Sequence, residues 1–221
     1  MSPAETKDRI LEAAMRLFYE QGFNATGVAT ILRQAGVNSG SLYHFFESKE
    51  ALLREVLETY VDMLIPMVMQ PAEDATPDPI QRIFALLEWY RAGLTAGECQ
   101  FACPLGQLAL EIGHDQPTLR TLIDLNFKNW AAHVQGWLDA ASDRLPPTTD
   151  TAALSRFILT VMEGSQMQAK AAASLKPYDQ GVMQLRSYID LLLAAAPKAP
   201  RTSRPPPTTA TKPASSSKGN A

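Results

Sequence analysis

The chain has 221 residues, 46% of them hydrophobic and 19% charged, with a formal net charge of −3. This length allows one large domain or two smaller ones with a true core, and the composition is that of a soluble globular chain. The acidic total excludes binding of polyanions by bulk charge, and no apolar run approaches the roughly 18 residues of a bilayer-spanning helix.

Residues 1–60 carry six basic and eight acidic side chains, residues 61–196 nine and fifteen, and residues 197–221 five and none. Any contact of the folded part with nucleic acid must therefore come from local geometry. Residues 1–8 lack the apolar stretch of a signal peptide, which predicts a cytoplasmic protein with no membrane partner.

Apolar residues recur at helical spacing, as in Ile10, Ala14, Leu17 and Phe18, then Leu53, Val56, Leu57 and Tyr60. No alternating strand pattern stands out, so the expected fold is all-α with about nine helices. Ser2-Pro3-Ala4-Glu5 offers an N-cap, a first-turn proline and a capping box, and Gly22 ends that first helix. A short helix follows near 28–34 and stops at Gly36; another runs about 39–45. Ser48 caps a long helix, about 49–69, with Glu50 in its electropositive first turn and Pro66 set to kink or end it. Pro71 to Pro79 reads as a connector. Helices follow at about 79–96, 104–113, 117–144, 151–174 and 178–195, with Pro146-Pro147 before the last two. From Pro197 onward, Pro, Ser, Thr, Ala and Lys cannot bury enough surface to order themselves, so 197–221 is expected to be a disordered basic tail.

Cys99 and Cys103 are expected as thiols, and no further Cys or suitably spaced His completes a tetrahedral metal site. Neither a metal nor a cofactor is expected. An all-helical enzyme would need a nucleophile–base pair or a metal constellation, and His44, His114 and His133 form no recognisable catalytic arrangement.

Between Thr26 and Phe46, two short helices meet at a tight turn carrying Gly36, with Ile31, Ala35, Val37, Leu42 and Phe46 supplying apolar contacts. Small and polar residues occupy the outward face of the second helix. This is the outline of a helix-turn-helix whose second helix enters the major groove. Base reading falls to Arg33, Asn38, Ser39 and Ser41, with Gly40 allowing close approach. Only Arg33 can make a bidentate guanine contact, so specificity leans also on water and DNA shape. Lys49 and the start of its helix can grip one phosphate together; Thr26 and Gly27 can offer a hydroxyl and a backbone N–H. Their alternatives are a solvated lysine and a plain N-cap. One such helix reads too few bases, so a two-fold dimer is expected, its recognition helices about 34–36 Å apart on a near-palindromic operator.

Ile10-Leu11-Glu12-Ala13-Ala14, Leu17-Phe18, Gly22-Phe23 and Thr26, followed by Ala35-Gly36-Val37 and the run Gly40-Ser41-Leu42-Tyr43-His44-Phe45-Phe46-Glu47-Ser48-Lys49-Glu50-Ala51-Leu52, resemble the DNA-binding domain of TetR-family regulators. The resemblance covers about the first 60 residues. It implies that Tyr43 and His44 hydrogen-bond backbone phosphates. It further implies a DNA-binding domain at 1–50 with its motif at 27–46, and a ligand-binding and dimerisation domain at 51–196. The implied function is a transcriptional repressor released from operator DNA by a small-molecule effector. Small residues in the last two helices, among them Gly164, Ser165, Ala169 and Ala171, suit the four-helix homodimer interface of such proteins.

Trp89, Tyr90, Phe101, Cys103, Phe127, Trp130, His133, Trp137, Phe157, Met162 and Met167 lie on several helices between these modules. Singly each reads as core; together they allow an apolar cavity. Cys103-Pro104-Leu105-Gly106-Gln107-Leu108-Ala109, with Glu111-Ile112-Gly113, Met162-Glu163-Gly164-Ser165 and Gln168-Ala169-Lys170, resembles the C-terminal domain of the YxaF/LmrA-like TetR subgroup. That resemblance implies ligand contacts by Cys103, Gln107, Glu163 and Lys170, since a Cys and a Lys at the matching positions occur in regulators that respond to electrophiles or small unsaturated acids; the expected effector is small and apolar or electrophilic. A helix start lowers a thiol pKa, and Lys170 nearby would lower it further or pair with a ligand carboxylate. An alternative function is thus a repressor triggered covalently at Cys103; a buried small hydrophobe at Cys103 and a solvated Lys170 are the plainer readings.

Overall fold

The computed structural model describes residues 2–38 and 40–197, all helix and connection within that range. The expected tail beyond Pro197 lies outside the described residues. The helices are α1 (Pro3–Gln21), α2 (Val28–Ala35), α3 (Ser41–Phe45), α4 (Lys49–Met63), α5 (Gln70–Ala75), α6 (Pro79–Ala96), α7 (Pro104–Glu111), α8 (Pro117–Ala140), α9 (Thr151–Ala172) and α10 (Lys176–Ala195). No helix among the described residues is long and apolar enough to cross a membrane.

Local chemistry sets most boundaries. The Ser2 hydroxyl accepts from the Glu5 N–H, and Glu5 Oε2 accepts from the Ser2 N–H at 2.7 Å, closing the capping box. Gly36 ends α2 at φ 64°, a left-handed conformation that costs a side chain dearly. Its N–H reaches the Arg33 carbonyl, and that of Val37 the Leu32 carbonyl, so the last carbonyls of α2 are satisfied as the chain turns. Ser48, Asp78 and Asp150 cap α4, α6 and α9 through their side chains.

Two expectations at prolines are corrected. Pro66 does not end the fourth helix; α4 continues through wider π turns at Leu64–Met69 directly into α5. A missing N–H is tolerated where the turn is widened and the ladder re-registers. Pro71 lies in the first turn of α5, where no N–H is required, so the connector shrinks to residues 76–78. Counting the rod from Lys49 to Ala75 as one gives nine helices among the described residues.

The apolar faces close into two main clusters. The first joins Ile10, Leu17 and Phe18 of α1, Ile31 and Leu32 of α2, Leu42 of α3 and Leu52, Val56 and Leu57 of α4. It also takes in Leu108 and Ile112 near α7 and Leu119 and Ile123 of α8, so the N-terminal helices rest on a platform from later in the chain. The second gathers α5, α6, the later part of α8, α9 and α10 around Ile83, Leu86, Val134 and Ile158. Burying each such side chain contributes roughly 1.5–3 kcal/mol. Buried Asn126 on α8 donates to the Leu57 carbonyl of α4 at 3.1 Å, tying the two clusters together.

Candidate functional site

The first site is the outer surface of the N-terminal helices. Arg33, Asn38, Gly40, Tyr43 and His44 are all exposed, on the end of α2, the following turn and α3. Tyr43, at 67% relative exposure, is a large ring with no core to fill. Beneath them Leu42 is fully buried and fixes the roll of α3, so the exposed residues all face away from the first cluster. Ser39, and the side chain of Ser41, lie outside the described residues.

The Thr26 expectation is corrected in part. Its hydroxyl is buried and donates to the Gly22 carbonyl at 2.6 Å, so it stitches the α1–α2 loop and is not offered to solvent. Gly27 is exposed at the start of α2. Lys49 is half-buried: its ammonium donates to the carbonyls of Phe23 and Thr26 at 2.9 and 3.1 Å and lies 4.1 Å from the centre of the Phe23 ring. The lysine thus clamps the same loop against α4, with one N–H left over.

The second site lies in the helical body and opens to solvent on one side, where Leu110, Met167 and Lys170 are exposed. Two adjoining cavities of about 330 and 350 Å³ share Ala102, Cys103, Phe127 and Glu163 as a partition. The inner one takes Trp89, Tyr90, Phe101 and Trp130 in its wall; the outer takes Gln107, Met167 and Lys170. Of the side chains grouped as a possible cavity lining, Trp89, Tyr90, Phe101, Cys103, Phe127, Trp130, Met162 and Met167 line one cavity or the other, as do Gln107, Glu163 and Lys170. His133 and Trp137 do not: Trp137 donates to Glu73 Oε1 at 2.9 Å, and His133 Nε2 lies 2.9 Å from the same oxygen, pinning α5 to α8. Phe157 sits on the surface against Tyr188.

Sequence reasoning missed the floor of the inner cavity. Tyr19, Tyr60, Met63, Leu64, Met67 and Val68 bring α1, α4 and the π turns into its wall. Asn126, a lone amide on the apolar face of α8, was the available signal for a special environment there. Also missed was a polar chain from the outer cavity to the N-terminal helices. Lys170 donates to Gln107 at 3.2 Å, Gln107 to Glu111 at 3.2 Å, and the Asn24 N–H to Glu111 at 2.8 Å.

At Cys103 the pull of the helix start toward a lowered pKa is outweighed, which favours the plainer of its two readings. Burial raises its pKa well above the ordinary thiol value; the nearby Glu163 charge and the hydrogen bond to Glu163 raise it further. The backbone N–H groups of Gly106 and Leu105 at the start of α7 pull the other way and lose. Cys103 is a neutral thiol, and Lys170 is engaged by Gln107 instead. Burial likewise raises Glu163, against a hydrogen bond with Cys103 that lowers it. Gly106 leaves room for this carboxylate, since a Cβ there would collide with it. Glu163 Oε1 is buried with no hydrogen-bond partner.

An all-helical chain with a helix-turn-helix at one end and a hollow helical body at the other defines a class: helix-turn-helix DNA-binding regulators with a cavity in the body. The comparisons narrow it. The family model for bacterial regulatory proteins of the tetR family matches residues 10–56, and that for the tetracyclin repressor-like C-terminal domain matches 79–185. The HTH-type transcriptional regulator YxaF of Bacillus subtilis is 34% identical over 132 residues, covering 59% of this chain and 69% of the relative. LmrA of the same organism is 33% identical, covering 60% and 70%, and the repressor DhaR of a Mycobacterium species is 25% identical, covering 81% and 90%. A regulatory protein TetR from Rhodobacter sphaeroides superposes with a TM-score of 0.75 at 21% identity, covering 82% and 97%. Reduced NemR of E. coli gives 0.69 at 21%, covering 82% and 96%. The chain belongs to the TetR family and is a sequence-specific DNA-binding transcriptional regulator.

Proposed function

We propose that the chain is a homodimeric repressor, acting in the cytoplasm, that leaves a near-palindromic operator when a small molecule fills the cavity in the body. The observation that carries this is the rod from Lys49 to Ala75. One end braces the α1–α2 loop behind the reading face, while Tyr60, Met63 and the π turns line the cavity. A ligand that wedges against those turns moves the whole reading head, because the head's core is packed on α4. The polar chain through Gln107 and Glu111 offers a second route to the same loop. Release requires that the ligand bind the operator-incompetent conformer better than the competent one.

In this reading Arg33, Asn38, Ser39, Gly40 and Ser41 face bases, while Gly27, Tyr43, His44 and the remaining N–H of Lys49 face phosphates. The exposed Phe157, Met183, Tyr188 and Leu191 on α9 and α10 supply apolar surface for a two-fold partner. Reversible ligand binding is favoured over covalent triggering because burial and the neighbouring Glu163 carboxyl raise the Cys103 pKa and so disfavour the thiolate. No catalytic step is needed for this cycle.

The test is a gel shift with DNA flanking the gene, followed by a screen of small apolar compounds for release. A shifted band that compounds dissolve supports the proposal. Absence of any shift, or a complex indifferent to every compound that binds the protein, contradicts it.

A further inference from the structure

The inner cavity has a one-sided chemistry. Its wall contains the carboxyl of Glu163 but no lysine, arginine or histidine. The same wall carries aromatic rings from three elements: Trp89 and Tyr90 of α6, Phe101 of the following loop, and Phe127 and Trp130 of α8. Glu163 Oε1 is buried with no hydrogen-bond partner among the described residues, so it is an acceptor open to a ligand's donor. What the wall lacks is a hydrogen-bond donor carrying positive charge.

Resting on the reading that this cavity is the effector site, we propose that it takes a lipophilic hydrogen-bond donor. An organic ammonium is preferred over a neutral alcohol, a carboxylate is excluded, and Glu163 is the acceptor. The ammonium meets the one carboxyl lining the cavity, while aromatic rings supply both the apolar seat and cation–π attraction. A carboxylate would be desolvated with no cation in the wall to receive it.

The titratable groups of the wall are all desolvated. Tyr19, Tyr60, Tyr90, Cys103 and Glu163 all have raised pKa values, each with burial as its first cause. Burial of this kind penalises charge of either sign, so an ammonium is favoured here only through its pairing with the Glu163 carboxyl. Lys170, the one cation nearby, belongs to the outer cavity and is held by Gln107.

Three probes with one skeleton test this: 4-phenylbutylamine, 4-phenylbutan-1-ol and 4-phenylbutyrate, which are positive, neutral and negative at neutral pH. Each competes with N-phenyl-1-naphthylamine, a neutral dye that brightens in apolar sites, on the full-length protein. The expected order is amine, alcohol, carboxylate, with roughly tenfold or more between the first and the last, and Glu163→Gln should bring the amine down to the alcohol. Carboxylate binding as tight as amine binding overturns the proposal, as does a Glu163→Gln protein that folds and still prefers the amine. Should that variant not fold, the order on the wild type decides. A dye that binds while the amine shows no preference defeats only this inference; a dye that fails to bind at all defeats the cavity reading beneath it.

Discussion

In the N-terminal helices, the apolar faces of α1, α2 and α4 close on one another, and the polar residues of interest lie outside. In the body, aromatic side chains stop short of closing, and the polar residue of interest lies inside. The buried side-chain atoms lacking a hydrogen-bond partner among the described residues, on Gln116, Thr149 and Glu163, all belong to the body. The difference is physical. A surface that must hold a fixed shape against DNA is served by a saturated core, whereas a ligand site needs interior volume and an unmet bond.

The contrast can be broken most forcefully at Ile31, which is fully buried in the first cluster. Ile31→Ala should cost about 2–5 kcal/mol and abolish operator binding, read by denaturant unfolding and gel shift. Dye binding in the cavity should survive; simultaneous loss of both would show that head and body melt as one unit. Lys49 comes next. Lys49→Met removes two charge-assisted bonds to the loop carbonyls, and a loss of roughly 1.5–3 kcal/mol in thermal or denaturant unfolding is expected. An unchanged midpoint would mean the clamp contributes nothing.

A smaller effect is expected at Arg33, which is exposed and takes no part in the core. Arg33→Ala should leave stability unchanged while reducing discrimination between operator and scrambled DNA by about 1–3 kcal/mol, measured by fluorescence anisotropy. Equal losses on both DNAs would reassign it to phosphate contact. The subtlest test concerns Glu163, whose folded pKa is raised by burial. Its protonated form is favoured by folding, so its contribution is intact below the unfolded pKa of roughly 4.3 and is lost as pH rises through the folded value. Glu163→Gln lacks that loss. Its melting temperature relative to wild type should climb across that window and stay level beneath it; a flat difference would show that the carboxyl is not strained.

The head was the more legible half because its punctuation is local. Gly22, Gly36 and Ser48 each fix a boundary through their own backbone or side chain, and the order of α1 to α4 follows. What the sequence could not reveal is where tertiary packing sends a side chain: Thr26 turns its hydroxyl inward, and Lys49 spends two donors on the loop. In the body, the aromatic and sulfur side chains announced a cavity collectively, yet helical spacing alone could not separate Trp130, which lines it, from Trp137, which bonds to Glu73. The prolines divide. Pro66, read as a kink or an end, is absorbed by π turns, whereas Pro71, read as opening a connector, sits at a helix start. At Cys103 the helix start was visible in the sequence, but the desolvation and the Glu163 carboxyl that outweigh it were not.

The most direct test is selection of binding sites from random DNA by the full-length protein, with footprinting of the winners. A symmetric site with half-sites centred about 34–36 Å apart, protected by a dimer, is the predicted result. Failure to enrich any sequence, or enrichment of a lone half-site held by a monomer, would contradict the claim that this chain reads DNA as a two-fold pair.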